Sequence, residues 1–492
     1  MRPALLILPL LLLAGCATDG SAPAPKAVVA DDTTGRSAYG LFLSGEAALA
    51  DGHSSEAQDY FARARAKGGD PGLLAERGFS ASLLAGDISR AAALAPTSGD
   101  GDAMERLGRL VKAVEAMAKD DGKTAKTLLA MDDFGFPHRS AAALLRPWAA
   151  AEAGDMEGAV VLPEGRGDRL VDYFGKLGRA QIFERAKRFD EAETDFKAIT
   201  TGDSPPPLTV LAYGAFLERR GRKAEAVALY DAALTSQPAG AADGLTAARA
   251  RAAAGKPPPP PPTLKEGAAE ALLAPAATMQ AAKQNQLALA YLRLALRLDP
   301  HRDEAWVMLG DVKMEEGDIA AAREAYSQPK PDSPQNLPAR TKLAWSYQSQ
   351  KNPEMALKLA RETAQSGDPE ARLALGDLLR VNERYDEAEV LLTGLINEEK
   401  DPDWRLLYAR GVAYERLNRW PEAERDLQAA LKARPDDPEI QNYLGYSWID
   451  RGLHVKEGMA LVEKAVASNP KSGAMTDSLG WAYYRLGDYK KA

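Results

Sequence analysis

Apolar and polar positions follow a helical period along most of the chain, and the pattern itself recurs. In its clearest copy, Gly310 lies at the centre of one amphipathic stretch, and Ala322 and Tyr326 lie on the apolar side of the next. Apolar residues spaced three and four positions apart predict helices, and Gly317 between the two stretches predicts a turn. The position of Gly310 recurs 34 residues later at Ala344. The sequence therefore predicts a tandem array of helical hairpins.

The same positions recur in both halves of the chain. The small residue of the first helix stands at Gly45, Gly214, Gly310, Ala344, Gly376, Gly411, Gly445 and Gly480. In the copy centred on Gly310, Trp306 precedes the glycine, and an alanine and an aromatic residue follow it. This pattern resembles the tetratricopeptide repeat. A small residue there lets two helices approach closely, and stacking buries the apolar face that one hairpin cannot bury alone. The resemblance implies an all-α tetratricopeptide superhelical solenoid of about ten helical hairpins.

The array is interrupted twice. Residues 97–165 remain helical by composition but lose the repeat phase, and Pro257–Pro262 form a run of six prolines. Such a run adopts extended polyproline II and cannot continue a helix. It is either a ligand for a proline-binding domain or a stiff spacer, and we favour the spacer. We therefore expect an N-terminal block at 37–240, a Pro-rich linker at 241–263 and a C-terminal block at 264–492.

The first residues have the pattern of an export signal. The apolar run Ala4–Leu13 follows a positive residue and is shorter than the roughly 20 residues that span a bilayer. It ends in Leu-Ala-Gly-Cys, which resembles a bacterial lipobox, and Cys16 is the only cysteine of the chain. The resemblance implies a lipoprotein signal peptide at 1–16, a lipid on Cys16 and a flexible tether at 17–36. An ordinary signal peptide with an incidental cysteine is the alternative.

The residue after the lipobox bears on localisation. By similarity to bacterial sorting rules, Ala17 after a lipidated cysteine implies export to the outer membrane. No later apolar stretch approaches the length of a membrane span. We therefore expect an outer-membrane lipoprotein of the bacterial cell envelope that faces the periplasm.

Charge and residue spacing argue against several classes of function. The formal net charge is -8, and no basic stripe is present to replace the counterions of a nucleic acid. The four histidines lie in different repeats without a second ligand at metal-binding spacing. The sequence contains no phosphate-binding, dinucleotide-binding or nucleophile-elbow motif. We therefore expect no metal, no cofactor, no nucleic-acid partner and no enzymatic activity, which leaves protein binding.

The inner, concave surface of such a solenoid is formed by the first helix of each hairpin. The repeat register places aromatic, Arg, Asn and Asp side chains there without a packing role, which is the composition of a peptide-binding groove. The predicted groove residues are Trp345, Asp377, Arg380, Tyr408, Arg416, Asn442, Tyr446, Asp477, Trp481, Tyr484 and Arg485. Asn442 is suited to bond a peptide backbone, and Arg485 is suited to bond a carboxylate. The alternative is that some of these side chains only cover the seams between repeats.

The last part of the chain carries a more specific pattern. Residues 442–446 read Asn-Tyr-Leu-Gly-Tyr, and residues 477–487 read Asp-Ser-Leu-Gly-Trp-Ala-Tyr-Tyr-Arg-Leu-Gly. With the lipobox, these segments resemble the LbcA family of tetratricopeptide outer-membrane lipoproteins. The resemblance implies an adaptor that binds a periplasmic carboxyl-terminal processing protease, a PDZ serine protease, and its substrates, which include cell-wall hydrolases. A scaffold for an outer-membrane, pilus or secretion complex is the alternative function.

The sequence ends at Ala492, which matches the start of a second helix in the repeat register. A terminal hairpin without its second helix leaves Leu479, Trp481 and Tyr483 without part of their cover. We therefore expect the chain to continue with at least the missing helix. Capping of this end by a second copy or another protein is the alternative.

Overall fold

The computed structural model describes residues 35–96, 103–130, 134–202, 205–236 and 243–492. The predicted signal peptide, Cys16 and most of the predicted tether lie outside these residues. The described residues contain helices and no strand, which confirms the all-α prediction. The helices are α1 (Ala38–Ala50), α2 (Ser54–Ala66), α3 (Pro71–Ala85), α4 (Ile88–Leu94), α5 (Ala103–Ala118), α6 (Gly122–Ala130), α7 (Arg139–Glu152), α8 (Met156–Ala159), α9 (Arg169–Arg185), α10 (Phe189–Thr200), α11 (Pro207–Arg219), α12 (Lys223–Ser236), α13 (Asp243–Ala253), α14 (Leu264–Ala281), α15 (Asn285–Leu298), α16 (Asp303–Glu316), α17 (Ile319–Tyr326), α18 (Asn336–Ser349), α19 (Pro353–Ala364), α20 (Pro369–Val381), α21 (Tyr385–Glu398), α22 (Trp404–Arg416), α23 (Trp420–Ala433), α24 (Pro438–Arg451), α25 (Val455–Ser468) and α26 (Gly473–Arg485).

The helices pair as hairpins, with a first helix, A, and a second helix, B. Examples are α1 with α2, α16 with α17 and α22 with α23. Where the two helices cross, the glycine of helix A lies under a large side chain of helix B. A Cβ atom on Gly310 would lie 2.4 Å from the Tyr326 ring, and one on Gly411 would lie 2.9 Å from Leu427. The recurrent glycines therefore set the close approach of the two helices.

The described chain divides into two compact units, one ending at Ser346 and the other beginning at Tyr347. In the first unit, the hairpin of α14 and α15 packs against helices of earlier repeats, most of which are A helices. α14 contacts α7 and α9, and α15 contacts α3, α4 and α5. The A-helix side of these repeats is thus covered by a later segment of the same chain.

The contacts of this hairpin are both apolar and polar. Gly267 of α14 lies against the Trp148 ring, which an added Cβ would approach to 2.1 Å. The Nδ1 atom of His138 and the hydroxyl of Tyr291 are hydrogen-bonded at 2.9 Å in a buried position. Leu272 of α14 is fully buried in the same apolar core. The hairpin is therefore part of the core of the first unit.

The segment that the sequence analysis assigns to a linker is largely structured. Its first half forms α13, which packs on α11 and α12. The proline run is held by two hydrogen bonds, from Arg219 Nη1 to the carbonyl of Pro259 at 2.7 Å and from Arg185 Nη1 to the carbonyl of Pro262 at 3.0 Å. The boundary between the two compact units does not fall at the proline run, because the apolar face of the hairpin that follows the run is buried against the preceding repeats.

The second unit contains α19 to α26. Buried apolar side chains of both helices of each hairpin form its core, including Ala423, Leu427, Leu444, Trp448 and Val462. Each A helix from α20 onward contacts the B helix before it. Across the described ranges, no helix has both the length and the apolar character needed to cross a membrane.

Candidate partner-binding face

The A helices of the second unit begin in the same way. Asp368, Asp403, Asp437 and Ser472 each precede one of them, and each side chain accepts a hydrogen bond from a backbone N–H of the first turn. Such N-caps fix where a helix starts, so equivalent positions of α20, α22, α24 and α26 line up. We call this surface the A face. Its polar and aromatic residues are Glu370, Asp377, Arg380, Arg405, Tyr408, Glu415, Arg416, Glu439, Asn442, Tyr443, Tyr446, Asp450, Arg451, Asp477, Trp481, Tyr484 and Arg485.

Ion pairs occupy the α20 and α22 part of the A face. Arg405 donates to both carboxylate oxygens of Glu370, at 2.8 and 2.6 Å, which joins the two helices. Asp377 and Arg380 form an ion pair at 3.3 Å on α20. Burial raises the pKa of the Asp377 carboxyl, against the opposing effect of Arg380. These two predicted groove residues therefore neutralise each other.

Two tyrosines form the centre of the A face. The Tyr408 and Tyr443 rings meet edge to face with their centroids 6.0 Å apart. The Tyr443 hydroxyl donates to Glu415 at 3.2 Å, and Arg451 donates to the other oxygen of Glu415 at 2.8 Å. Arg416 lies 3.7 Å from the same carboxylate. Tyr408 therefore packs between α22 and α24, in keeping with the alternative that some of the predicted groove residues cover the seams between repeats.

Asn442 has an unused hydrogen-bonding atom. Its Oδ1 is buried and has no hydrogen-bond partner among the described residues, although the side chain as a whole is only half-buried. The Nε atom of Arg380 is also buried without a hydrogen-bond partner among the described residues. A buried acceptor left unpaired costs about 1–3 kcal/mol. An N–H group of a bound chain would satisfy the Asn442 oxygen.

The α26 part of the A face is aromatic and more exposed. Trp481 and Tyr484 stack at 5.3 Å and are 36% and 51% exposed. The Trp481 Nε1 donates to Asp450 at 3.1 Å, and Arg485 donates to the carbonyl of Asp450 at 2.5 Å and lies 3.3 Å from its carboxylate. Arg485, expected to meet a partner's carboxylate, is therefore paired within its own chain.

The remaining predicted residues are placed as follows. Trp345 lies on α18 within the first unit and is half-buried. Tyr446 is half-buried on α24, and burial together with nearby Asp450 and Asp477 raises its pKa. Asp477 is exposed on α26 and, among the described residues, makes no ion pair.

Two carboxylates that hold the A face together, Glu415 and Asp450, are not among the residues predicted from the sequence. Glu415 of α22 accepts hydrogen bonds from two residues of α24, and Asp450 of α24 accepts hydrogen bonds from two residues of α26. The signal for Asp450 was its position four residues after Tyr446, because such residues are neighbours on a helix surface. Glu415 stands directly before Arg416, and its partners lie on another repeat, so local spacing did not reveal it.

Within the described ranges, no group of three or more His, Cys, Asp or Glu residues is arranged to hold a metal ion.

Stacked helical hairpins with an aromatic and arginine-rich A face define a helical repeat scaffold of the kind that binds other proteins. Sequence profiles described as tetratricopeptide repeat match residues 177–242, 341–403 and 408–473, and a second profile of the same description matches residues 279–345. Together they cover more than half of the chain, which belongs to the tetratricopeptide repeat family. Proteins of this family are in general non-catalytic scaffolds.

One curated relative matches part of the chain. It is the TPR repeat-containing protein PA4667 of Pseudomonas aeruginosa, 30% identical over 189 residues. The match covers 38% of this chain and 32% of the relative's length.

Two solved structures match over most of the chain. The Cut9 and Hcn1 hetero-tetramer of the APC/C is 15% identical, with 90% of this chain and 96% of that chain covered and a TM-score of 0.39. Yeast Tom70 is 13% identical, with 92% and 96% covered and a TM-score of 0.39.

Proposed function

We propose that this protein is a lipid-anchored adaptor that binds partner proteins on the A face of its second unit. The observation that carries the proposal is the buried, unpartnered Oδ1 of Asn442 beside half-buried and exposed aromatic side chains. Aromatic and Arg residues in this arrangement are typical of binding hot spots. The corresponding side of α3 to α9 in the first unit is covered by α14 and α15, which supports the second unit as the binding region.

The experiment is an affinity capture of partners from detergent-solubilised envelope with the full-length chain. Asn442→Ala and Trp481→Ala should each reduce the captured partner by about 10-fold, while circular dichroism remains unchanged. Glu457→Gln, an exposed position on the B helix α25, is the matched control. If the wild-type protein and the three variants capture equal amounts of partner, the binding site does not lie on the A face.

The partner we propose is a periplasmic carboxyl-terminal processing protease with its substrates, among them cell-wall hydrolases. The lipobox-like segment ending at Cys16 and the motifs at 442–446 and 477–487 support this proposal. Mass spectrometry of the captured material tests it. Recovery of a PDZ-containing serine protease supports the adaptor role, whereas recovery of secretin or barrel-assembly proteins supports the alternative assembly scaffold.

A further inference from the structure

Every arginine of the A face is already paired with a carboxylate of the same chain. The ion pairs are Arg380 with Asp377, Arg405 with Glu370, Arg416 and Arg451 with Glu415, and Arg485 with Asp450. The guanidinium groups therefore have their charge compensated before any partner arrives. A partner that offers a carboxylate would meet guanidinium groups whose charge is already compensated, so it would gain less from ion pairing than at an unpaired arginine.

Two carboxylates of the A face have no such partner. In the described parts of the chain, neither Glu439 nor Asp477 makes an ion pair. Both side chains are exposed. The A face therefore carries an excess of negative charge at two separate points, one on α24 and one on α26.

Each unpaired carboxylate lies near aromatic side chains. Glu439 is close enough to Tyr408 to act on it electrostatically, and Asp477 acts in the same way on Tyr446. Asp477 also precedes Trp481 by four residues on α26, so the two side chains are neighbours on the helix surface. A carboxylate beside an aromatic ring favours an ammonium or guanidinium group, through ion pairing and through attraction to the ring.

Asn442 lies on α24, the helix that carries the first of these two points. It follows Glu439 by three residues on α24, and its Oδ1 is the buried acceptor without a partner. A backbone N–H of an extended chain that crosses α24 toward α26 would supply the missing donor.

We infer that the A face takes an extended basic peptide segment, whose Lys or Arg side chains lie against Glu439 and Asp477 and whose backbone bonds Asn442. The inference rests on the proposed function of this face. The bound segment is expected to be cationic and apolar. An acidic tail or a free carboxyl terminus is not expected to be the main determinant of binding.

The test uses the full-length chain and two fluorescein-labelled synthetic peptides of equal length, measured by fluorescence anisotropy. Both peptides alternate Ser and Leu, with Lys at intervals in one and Glu at the same positions in the other. The Lys peptide should bind at least about 10-fold more tightly than the Glu peptide, and the difference should shrink as salt is added. Equal affinities, or tighter binding of the Glu peptide, would overturn the inference.

The double variant Glu439→Gln/Asp477→Asn should weaken binding of the Lys peptide by about 10-fold and leave the Glu peptide no weaker. The matched control is Asp386→Asn/Glu457→Gln, which changes charge equally at exposed positions on B helices. Weakening of the Lys peptide by both double variants alike would mean that only overall charge matters, and this would overturn the inference.

Failure of this inference is distinguishable from failure of the proposed function. If neither peptide binds, or if both bind alike, the basic-peptide inference is wrong. The capture experiment with Asn442→Ala and Trp481→Ala then reports separately whether the A face binds partner proteins.

Discussion

At the scale of single residues, two kinds of position determine how this protein works. Glycines at the helix crossings have no room for a side chain, and they fix the geometry of each hairpin. Charged side chains that α14 covers are partly removed from water. Their pKa values therefore differ between the folded and the unfolded chain, and their protonation is coupled to folding. The first kind sets the packing of the repeats, and the second makes stability depend on pH.

Gly445→Ala should destabilise the second unit. An added Cβ would lie 2.7 Å from the carbonyl oxygen of Gly458, and a backbone atom cannot move aside as a flexible side chain can. We expect the free energy of unfolding, measured by urea titration, to fall by about 1–3 kcal/mol.

Gly394→Ala is the matched control, because no atom lies within 4 Å of its added Cβ. This change should raise the free energy of unfolding by up to about 1 kcal/mol, as expected for alanine in place of glycine within a helix. A loss of similar size in both variants would show that close packing is not the cause.

Glu152→Gln should stabilise the protein at alkaline pH. Burial raises the pKa of Glu152 from 4.5 to about 7; nearby Lys265 opposes this, and Asp120 and Asp121 add to it. Its Oε2 is buried without a hydrogen-bond partner among the described residues. Because the folded state holds the proton more tightly than the unfolded state, stability from this group is present at low pH and is lost as pH rises from 4.5 toward 7.

The shift corresponds to about 3 kcal/mol at most, and partial exposure of the group reduces this to about 1 kcal/mol. At pH 8, the variant should therefore exceed the wild-type free energy of unfolding by about that amount. The difference should vanish below pH 4.5, where the carboxyl is protonated in the unfolded state as well. A pH-independent difference between the two proteins would refute the role of Glu152 ionisation.

At the scale of helices, the hairpin of α14 and α15 has a different role from the other hairpins. It is one hairpin of the array, and it also covers the A helices among α3 to α9. The contacts include Gly267 on Trp148 and an ion pair of Arg297 with Glu115 at 2.8 Å. The hairpin thus occupies, within one chain, the kind of surface that a partner occupies in a binding scaffold.

Gly267→Ala should loosen this hairpin. The added Cβ would approach the Trp148 ring to 2.1 Å, so α14 or the indole must shift. We expect faster backbone hydrogen exchange in α7 and α14 by mass spectrometry. Gly72→Ala, where the nearest atom is an Asp70 carboxylate oxygen at 3.5 Å, is the control and should leave exchange in α7 and α14 unchanged.

At the scale of the whole molecule, the two compact units differ in what their A helices contact. In the first unit, the A helices α3, α5, α7 and α9 are covered by α14 and α15, whereas in the second unit the A helices present polar and aromatic side chains such as Asp477 and Trp481 to solvent. This difference supports a division between a self-contained region and a binding region.

Cys16→Ala tests the anchor. If Cys16 carries lipid, the variant should move from the membrane fraction to the soluble fraction, or accumulate as an unprocessed precursor. Immunoblotting of fractionated cells together with metabolic labelling by palmitate gives the measurement. A variant that still fractionates with membranes as a shortened, acylated protein would contradict lipidation at this cysteine.

The sequence by itself determined the helices, their pairing and the glycines between them, because these depend on residues close together along the chain. Gly310 under Tyr326 and Gly411 under Leu427 follow directly from the repeat register. It also identified α20, α22, α24 and α26 as helices of one face, because their positions recur with the repeat.

Only the tertiary structure decided what those side chains contact. Arg405 and Glu370 lie 35 residues apart, and His138 and Tyr291 lie 153 residues apart. Hydrophobic periodicity reports that a position is buried, but it does not report which segment buries it. For that physical reason, the covering of α3 to α9 by α14 and α15 and the pairing of Arg485 with Asp450 were visible only in the folded chain.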